Sequence, residues 1–132
     1  MKKTIIHPKN FPAPRGAYSP GVKIELGDGS ALLFATGQLA IDAAGQVVAP
    51  FDAAAQTEFV FGLIGQILAA ADMTFDHVVR MQTYLTNMAD FPKFTAVRDR
   101  HLGGALAAST LLEVKGLARE GCCVEIEVTA IK

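Results

Sequence analysis

Apolar residues fall at helical spacing in two stretches of this chain and at alternating spacing in most of the others. Between Asp52 and Ala71, the residues Val60, Leu63, Ile64, Ile67, Leu68 and Ala71 line one stripe, which predicts a helix of about five turns. Asp52 is placed to accept its first free amides. A second helix is expected over about Asp90–Leu102, opening at the capping-competent Asp90. From Val78 to Leu85 the pattern alternates. Val79, Met81, Thr83 and Leu85 fall on one face of a strand, and Val78, Arg80, Gln82 and Tyr84 on the other. Two earlier strands are expected near Ser19–Leu26 and Ala31–Thr36, joined by Gly27-Asp28-Gly29, whose residue types suit the positive φ of a hairpin turn. The Pro/Gly-rich stretch Lys9–Pro20 reads as an ordered loop leading into them. Two more strands follow near Ser109–Lys115 and Cys123–Ile131, with Ala118–Gly121 turning between them.

Strands, helix, strand, helix, strands: this order predicts an α+β domain over residues 1–132, with both helices on one face of a single sheet. On the last strand Val124, Ile126, Val128 and Ala130 point toward the helices. Cys123, Glu125, Glu127 and Thr129 point away, and Leu111, alternating with Ser109 and Glu113, is expected to share that second face. A face mixing Leu, Val, Tyr and Cys with a few charges is too apolar to be left to water. It predicts contact with further copies of the chain, closed into a symmetric ring.

Composition narrows the partners. The net charge is −1, from 12 Lys+Arg against 13 Asp+Glu, so there is no electrostatic case for nucleic acid. With 51% hydrophobic residues, the chain can bury a core without a metal or disulfide staple. No long apolar segment follows Lys2 and Lys3, so no signal peptide is expected. Phe59–Ala71 is too short to span a bilayer and is interrupted by Gly62 and Gly65. Adjacent Cys122 and Cys123 point to opposite faces of a strand and suit neither a metal pair nor a disulfide; buried or interfacial reduced thiols in the cytoplasm are the plain expectation. His7, His77 and His101 form no metal-ligand spacing.

Four segments in register resemble a known family. They are Gly16-Ala17-Tyr18-Ser19-Pro20, Phe34-Ala35-Thr36-Gly37-Gln38-Leu39, Val78-Val79 through Tyr84-Leu85-Thr86-Asn87-Met88-Ala89-Asp90-Phe91, and Val124-Glu125-Ile126-Glu127-Val128-Thr129-Ala130. Together they resemble the signatures of the YjgF/RidA proteins over nearly the whole chain. The resemblance implies a chorismate-mutase-like α+β fold with one mixed sheet of about six strands. It also implies a homotrimer with sheets facing inward and small-molecule clefts between subunits. Members with the full motif hydrolyse reactive enamines and imines to a keto acid and ammonia, with no metal or cofactor. The family also carries the labels endoribonuclease and translation inhibitor.

The resemblance carries site residues over unevenly. Tyr18 matches the loop tyrosine of the cleft, Gly37 a backbone position near the ligand, and Glu125 the carboxylate that positions the attacking water. The family's Pro-Ala-Arg-Ser/Thr motif aligns with Ala107-Ala108-Ser109-Thr110, so Ser109, or Thr110 after a one-residue shift, stands where an arginine grips the substrate carboxylate. Only a planar guanidinium pairs bidentately with a carboxylate. Thr95 replaces a common asparagine on the second helix, with Arg98 one turn on. Arg15, Arg98 and Arg119 are the cations able to compensate. Structural roles stand beside these: Tyr18 as a packing residue, Ser109 as an ordinary strand residue, and Glu125 ion-paired to Lys115 or Arg119. Two functions follow: an imine or enamine deaminase with altered substrate range, and a non-catalytic binder of a small metabolite. Ribonuclease activity rests on the label alone.

Overall fold

The computed structural model describes all 132 residues. Six strands form one sheet in the order β1-β2-β3-β6-β4-β5: β1 Lys2–Ile6, β2 Gly21–Glu25, β3 Ala31–Leu39, β4 Val78–Leu85, β5 Ala108–Glu113 and β6 Val124–Ile131. All neighbours are antiparallel except β4 and β5. No tight turn can join parallel neighbours, and the helix α2 (Phe91–Leu102) supplies the crossover. The other helix, α1 (Ala53–Ala70), lies between β3 and β4 in the chain. The sequence pattern predicts five of these strands. β1 escaped it because only Ile6 of its five residues is buried.

The α1 stripe packs as its spacing predicts: Val60, Leu63, Ile64, Ile67, Leu68 and Ala71 are all buried. The Asp52 carboxylate accepts from the Ala55 amide at 3.0 Å and caps the helix. α1 is long and apolar enough to cross a bilayer by length and composition, more than the Phe59–Ala71 segment suggested. Half of it is buried inside the domain, as in a core helix. Asp90 instead closes a 3-10 turn over Met88–Asp90 and pairs with Lys93 at 3.5 Å, giving α2 no side-chain cap. β6 alternates as expected, with Val124, Ile126, Val128 and Ala130 buried beneath the helices.

Three facing assignments need correction. In β4 a bulge lies between Val78, opposite Ala130, and Arg80, opposite Thr129. Its extra residue flips the alternation, so Val78 is buried and Val79 is 43% exposed. In β5 the parallel register pairs Ala108, Thr110 and Leu112 with Arg80, Gln82 and Tyr84. Those residues therefore share the open face, while Leu111 packs against the core and Ser109 pairs with Met81 on the helix side. Cys123 lies just before β6 and faces α1, because Gln56 accepts from both its amide (2.8 Å) and its thiol (3.3 Å). Gln56 is itself fully buried, and its Nε2 donates to the carbonyls of Val48, Ala49 and Gly121. This one side chain ties α1 to two loops and the start of β6.

Candidate functional site

The site grows from an irregularity in β3. Ala35 faces Val128 and Gln38 faces Ile126, so Thr36 and Gly37 bulge out of the ladder. Gln38 stabilises the bulge by donating from Nε2 to the Thr36 carbonyl at 2.7 Å. Thr36 fixes the preceding loop: its hydroxyl donates to the Ser19 carbonyl at 2.6 Å and its amide to the Pro20 carbonyl at 2.9 Å. That loop carries Tyr18, whose phenol oxygen accepts from the Arg15 amide at 3.1 Å and whose ring lies against Gly16. Tyr18 is 55% exposed, so its packing is local and its ring is available to a ligand.

Glu125 fills the space a side chain at residue 37 would need. A Cβ there would meet the Glu125 Oε1 inside any van der Waals distance, with Cδ and Cγ at 3.2 and 3.3 Å. Glycine at 37 is thus what admits the carboxyl. Burial pushes the Glu125 carboxyl up from the usual carboxylate range, and the neighbouring Glu127 adds to it. No ion pair to Lys115 or Arg119 forms; neither residue lies within salt-bridge distance of it.

In front of Gly37 opens a cleft of about 410 Å³, within the range of small-molecule sites. Its lining includes Tyr18, Gly37, Gln38 and Ile41, with Phe11, Pro20 and Leu63 as apolar wall and Arg15 and Arg119 as its cations. Arg119 donates from Nη2 to the Gly45 carbonyl at 3.1 Å. Cys122 lies near both Arg119 and Glu125, but burial dominates and raises its thiol above the ordinary range. Burial likewise pushes Cys123 up to about 11. Both thiols are free and buried, and neither is an activated nucleophile.

The remaining predicted residues lie elsewhere in the chain. Ser109 lines a separate hollow of about 250 Å³ between β5 and α2, together with Arg98, Asp99 and Leu102. From β3 to β5 is three strand spacings, roughly 14 Å. Arg98 lines the same hollow as Ser109, the residue that the resemblance puts in the arginine's place. It is engaged there: Nε donates to Asp99 at 2.9 Å and the guanidinium lies 5.7 Å from the Phe94 ring centre. Thr110 pairs with Gln82 on the open face. The Thr95 hydroxyl donates to the Phe91 carbonyl at 2.8 Å within its own helix.

The open face also carries a polar chain that the sequence pattern alone does not join up. Arg80 donates to Gln82 (3.3 Å), Gln82 to the Tyr84 phenol (2.7 Å), and that phenol to Glu127 (3.4 Å). The alternation of Arg80, Gln82 and Tyr84 placed them on one face; the link to Glu127 depends on β4–β6 register. His101 and His77 serve packing and a turn. His101 stacks on Phe61 with ring centres 4.9 Å apart and contacts Glu58 at 2.8 Å, and His77 accepts from the Thr74 amide at 3.0 Å.

A mixed six-stranded sheet under two helices, with a loop tyrosine and a bulge glycine lining one cleft and a half-buried carboxyl against that glycine, defines a small α+β protein of the Rid class. Residues 8–132 match the family model described as Endoribonuclease L-PSP. The chain is 34% identical over 131 residues to Protein DfrA of Myxococcus xanthus, covering 99% of this chain and 97% of that one. It is 32% identical over 130 residues to a RutC family protein of Pyrococcus horikoshii, covering 98% of each. Among solved structures, YyfA of Yersinia pestis, from the conserved Rid protein family, superposes with a TM-score of 0.86 at 30% identity over 98% of both chains. RidA from an Antarctic Psychrobacter superposes at 0.83 with 29% identity, over 96% of this chain and 98% of that one. The chain belongs to the YjgF/RidA family, the family also called Endoribonuclease L-PSP.

Proposed function

We propose that this protein hydrolyses small imines and enamines to carbonyl compounds and ammonia, acting as a homotrimer whose working clefts are closed by the exposed β5 edge of a neighbouring copy. The observation that carries the reading is Glu125: a carboxyl raised by burial, unpaired with any cation, and seated against a glycine that admits it. A carboxyl raised in this way is a stronger base than a free one, suited to accept a proton and return it. An enamine is first protonated at carbon to give the iminium. Water held by Glu125 then adds to the iminium carbon and passes a proton to the carboxylate. The carboxyl returns that proton to nitrogen and the C–N bond breaks; the carbinolamine hydroxyl gives up its proton, balancing the one taken up at carbon, and the carbonyl compound leaves with ammonia. No redox partner enters the balance. Two free, buried thiols suit a reducing compartment such as the cytoplasm.

A second reading is favoured by the β5 end: with Ser109 in the arginine's place and Arg98 tied to Asp99, the chain binds a metabolite without turning it over. Freshly generated 2-aminoacrylate or 2-iminobutanoate given to the purified protein separates the two. The hydrolase reading expects pyruvate or 2-oxobutanoate to be released well above the spontaneous rate. It also expects Glu125→Gln to lose about 10²–10⁴-fold of that acceleration. A wild-type rate equal to the spontaneous one leaves only binding. The ribonuclease label finds no chemistry here, since His101 and His77 are held in structural contacts.

A further inference from the structure

The cleft holds more positive charge than the chain neutralises. Arg15 and Arg119 both line it, and neither has a carboxylate within ion-pairing distance. They converge on one turn. Arg119 Nη2 donates to the Gly45 carbonyl at 3.1 Å, and Arg15 Nη2 lies 3.9 Å from where a Cβ on Gly45 would stand. Arg119 Nη1 is closed off from water and has no hydrogen-bond partner in the chain. A guanidinium presents five N–H donors, and a charged donor left unmet away from water is destabilising. Two guanidiniums flanking one turn also repel each other. An anion between them relieves both defects.

We infer that Arg119 and Arg15 form a carboxylate-binding subsite in the cleft, gripping a short 2-imino or 2-oxo monocarboxylate in place of the arginine absent at residue 109. The inference rests on the reading that the Tyr18–Gly37 cleft is the working one. Arg119 offers the fork that a carboxylate matches with two parallel hydrogen bonds, and a modest swing of its long side chain presents Nη1 to the cleft. Gly37 lines the same cleft as the two arginines and abuts the Glu125 carboxyl, which sets that carboxyl behind the cleft's glycine. A short acid would lie with its carboxylate on the arginines and its imine carbon toward the water on Glu125. The apolar wall of Phe11, Pro20 and Leu63 suits a short alkyl group.

Calorimetric titration of the full chain with 2-oxobutanoate and with its methyl ester tests this. The acid is expected to bind, and the uncharged ester to bind about 10- to 100-fold more weakly. Arg119→Gln and Arg15→Gln are each expected to weaken the acid about 10-fold or more and to leave the ester unchanged. Arg98→Gln is expected to leave both unchanged. If Arg119→Gln fails to fold, Arg15→Gln, at an exposed position, carries the test. The inference is overturned if acid and ester bind alike or not at all. Unaltered affinity in the folded arginine variants, or Arg98→Gln alone abolishing binding, overturns it equally. Wild-type protein that binds the acid but never accelerates imine hydrolysis ends the hydrolase reading and keeps the subsite. Turnover that survives both arginine variants with unaltered binding does the reverse.

Discussion

The two faces of the sheet are built on the same strands and differ in almost every other respect. Along β6, Val124, Ile126, Val128 and Ala130 are buried beneath the helices, and between them Glu125, Glu127 and Thr129 look the other way. Across the ladder the contrast repeats. Leu33, Met81 and Leu85 lie on the covered face, and Phe34, Gln82 and Tyr84 on the open one. The covered face removes apolar area from water and holds the domain together. The open face carries the carboxyl, the polar chain from Arg80 to Glu127, and a 48% exposed Phe34 that no folding argument requires. Period-two alternation therefore lets one strand serve stability with one set of residues and leaves the next set free for the assembly and chemistry proposed above.

The hardest test of that division substitutes one residue from each face. Ile126→Ala removes a fully buried side chain and is expected to cost about 2–5 kcal/mol, measured by urea unfolding. Phe34→Glu on the open face is expected to leave the fold intact by circular dichroism and to shift the chain toward monomer in light scattering. If subunits associate through this face, the wild-type unfolding midpoint rises with protein concentration, and the variant loses that dependence. A Phe34→Glu variant that unfolds outright, or that assembles like wild type, breaks the comparison.

A smaller change addresses the seam between β3 and β6. Gly37→Ala places a methyl group against the Glu125 carboxyl, and the flexible end of the glutamate has to move. Stability is expected to fall by no more than about 1–3 kcal/mol. Imine turnover is expected to fall up to about 10²-fold, because displacement of a positioned group by about 1 Å is enough for that. Adding Gly37→Ala to Glu125→Gln then costs turnover little more, since both act through one carboxyl. Equal turnover in Gly37→Ala and wild type detaches the glycine from the chemistry.

What the sequence made legible was whatever local periodicity controls. The α1 stripe and the β6 alternation came through because each depends only on its own repeat, and the motif around Gly37 and Glu125 was readable residue by residue. The errors of facing depended on partners far away in the chain. Val78 and Val79 exchanged faces because a bulge forms only against Ala130 and Thr129. Cys123 turned inward because Gln56, 67 residues away, accepts from it. Gln56 itself looked like any polar helix residue, and only the convergence of two loops and a strand makes it central. Arg119 could be named as a candidate but not placed, since its position follows from a hydrogen bond to Gly45, 74 residues away.

The finest probe of the contrast is the small stability penalty that Glu125 carries on the open face. Burial raises the Glu125 carboxyl above its unfolded value, so the folded chain binds this proton more tightly than the unfolded chain does. The sign follows from linkage. The associated stability is fully present below the unfolded carboxylate pKa and is lost as pH rises through the folded one, leaving a constant penalty at neutral pH. Glu125→Gln keeps the shape and removes the charge. At pH 7 the variant is expected to melt slightly above wild type, and the difference is expected to shrink as the pH is lowered into the carboxylate range. Matched thermal melts of both proteins from pH 3.5 to 8 measure it. A variant less stable than wild type at neutral pH would mean that the ionised carboxylate has a stabilising partner on this face.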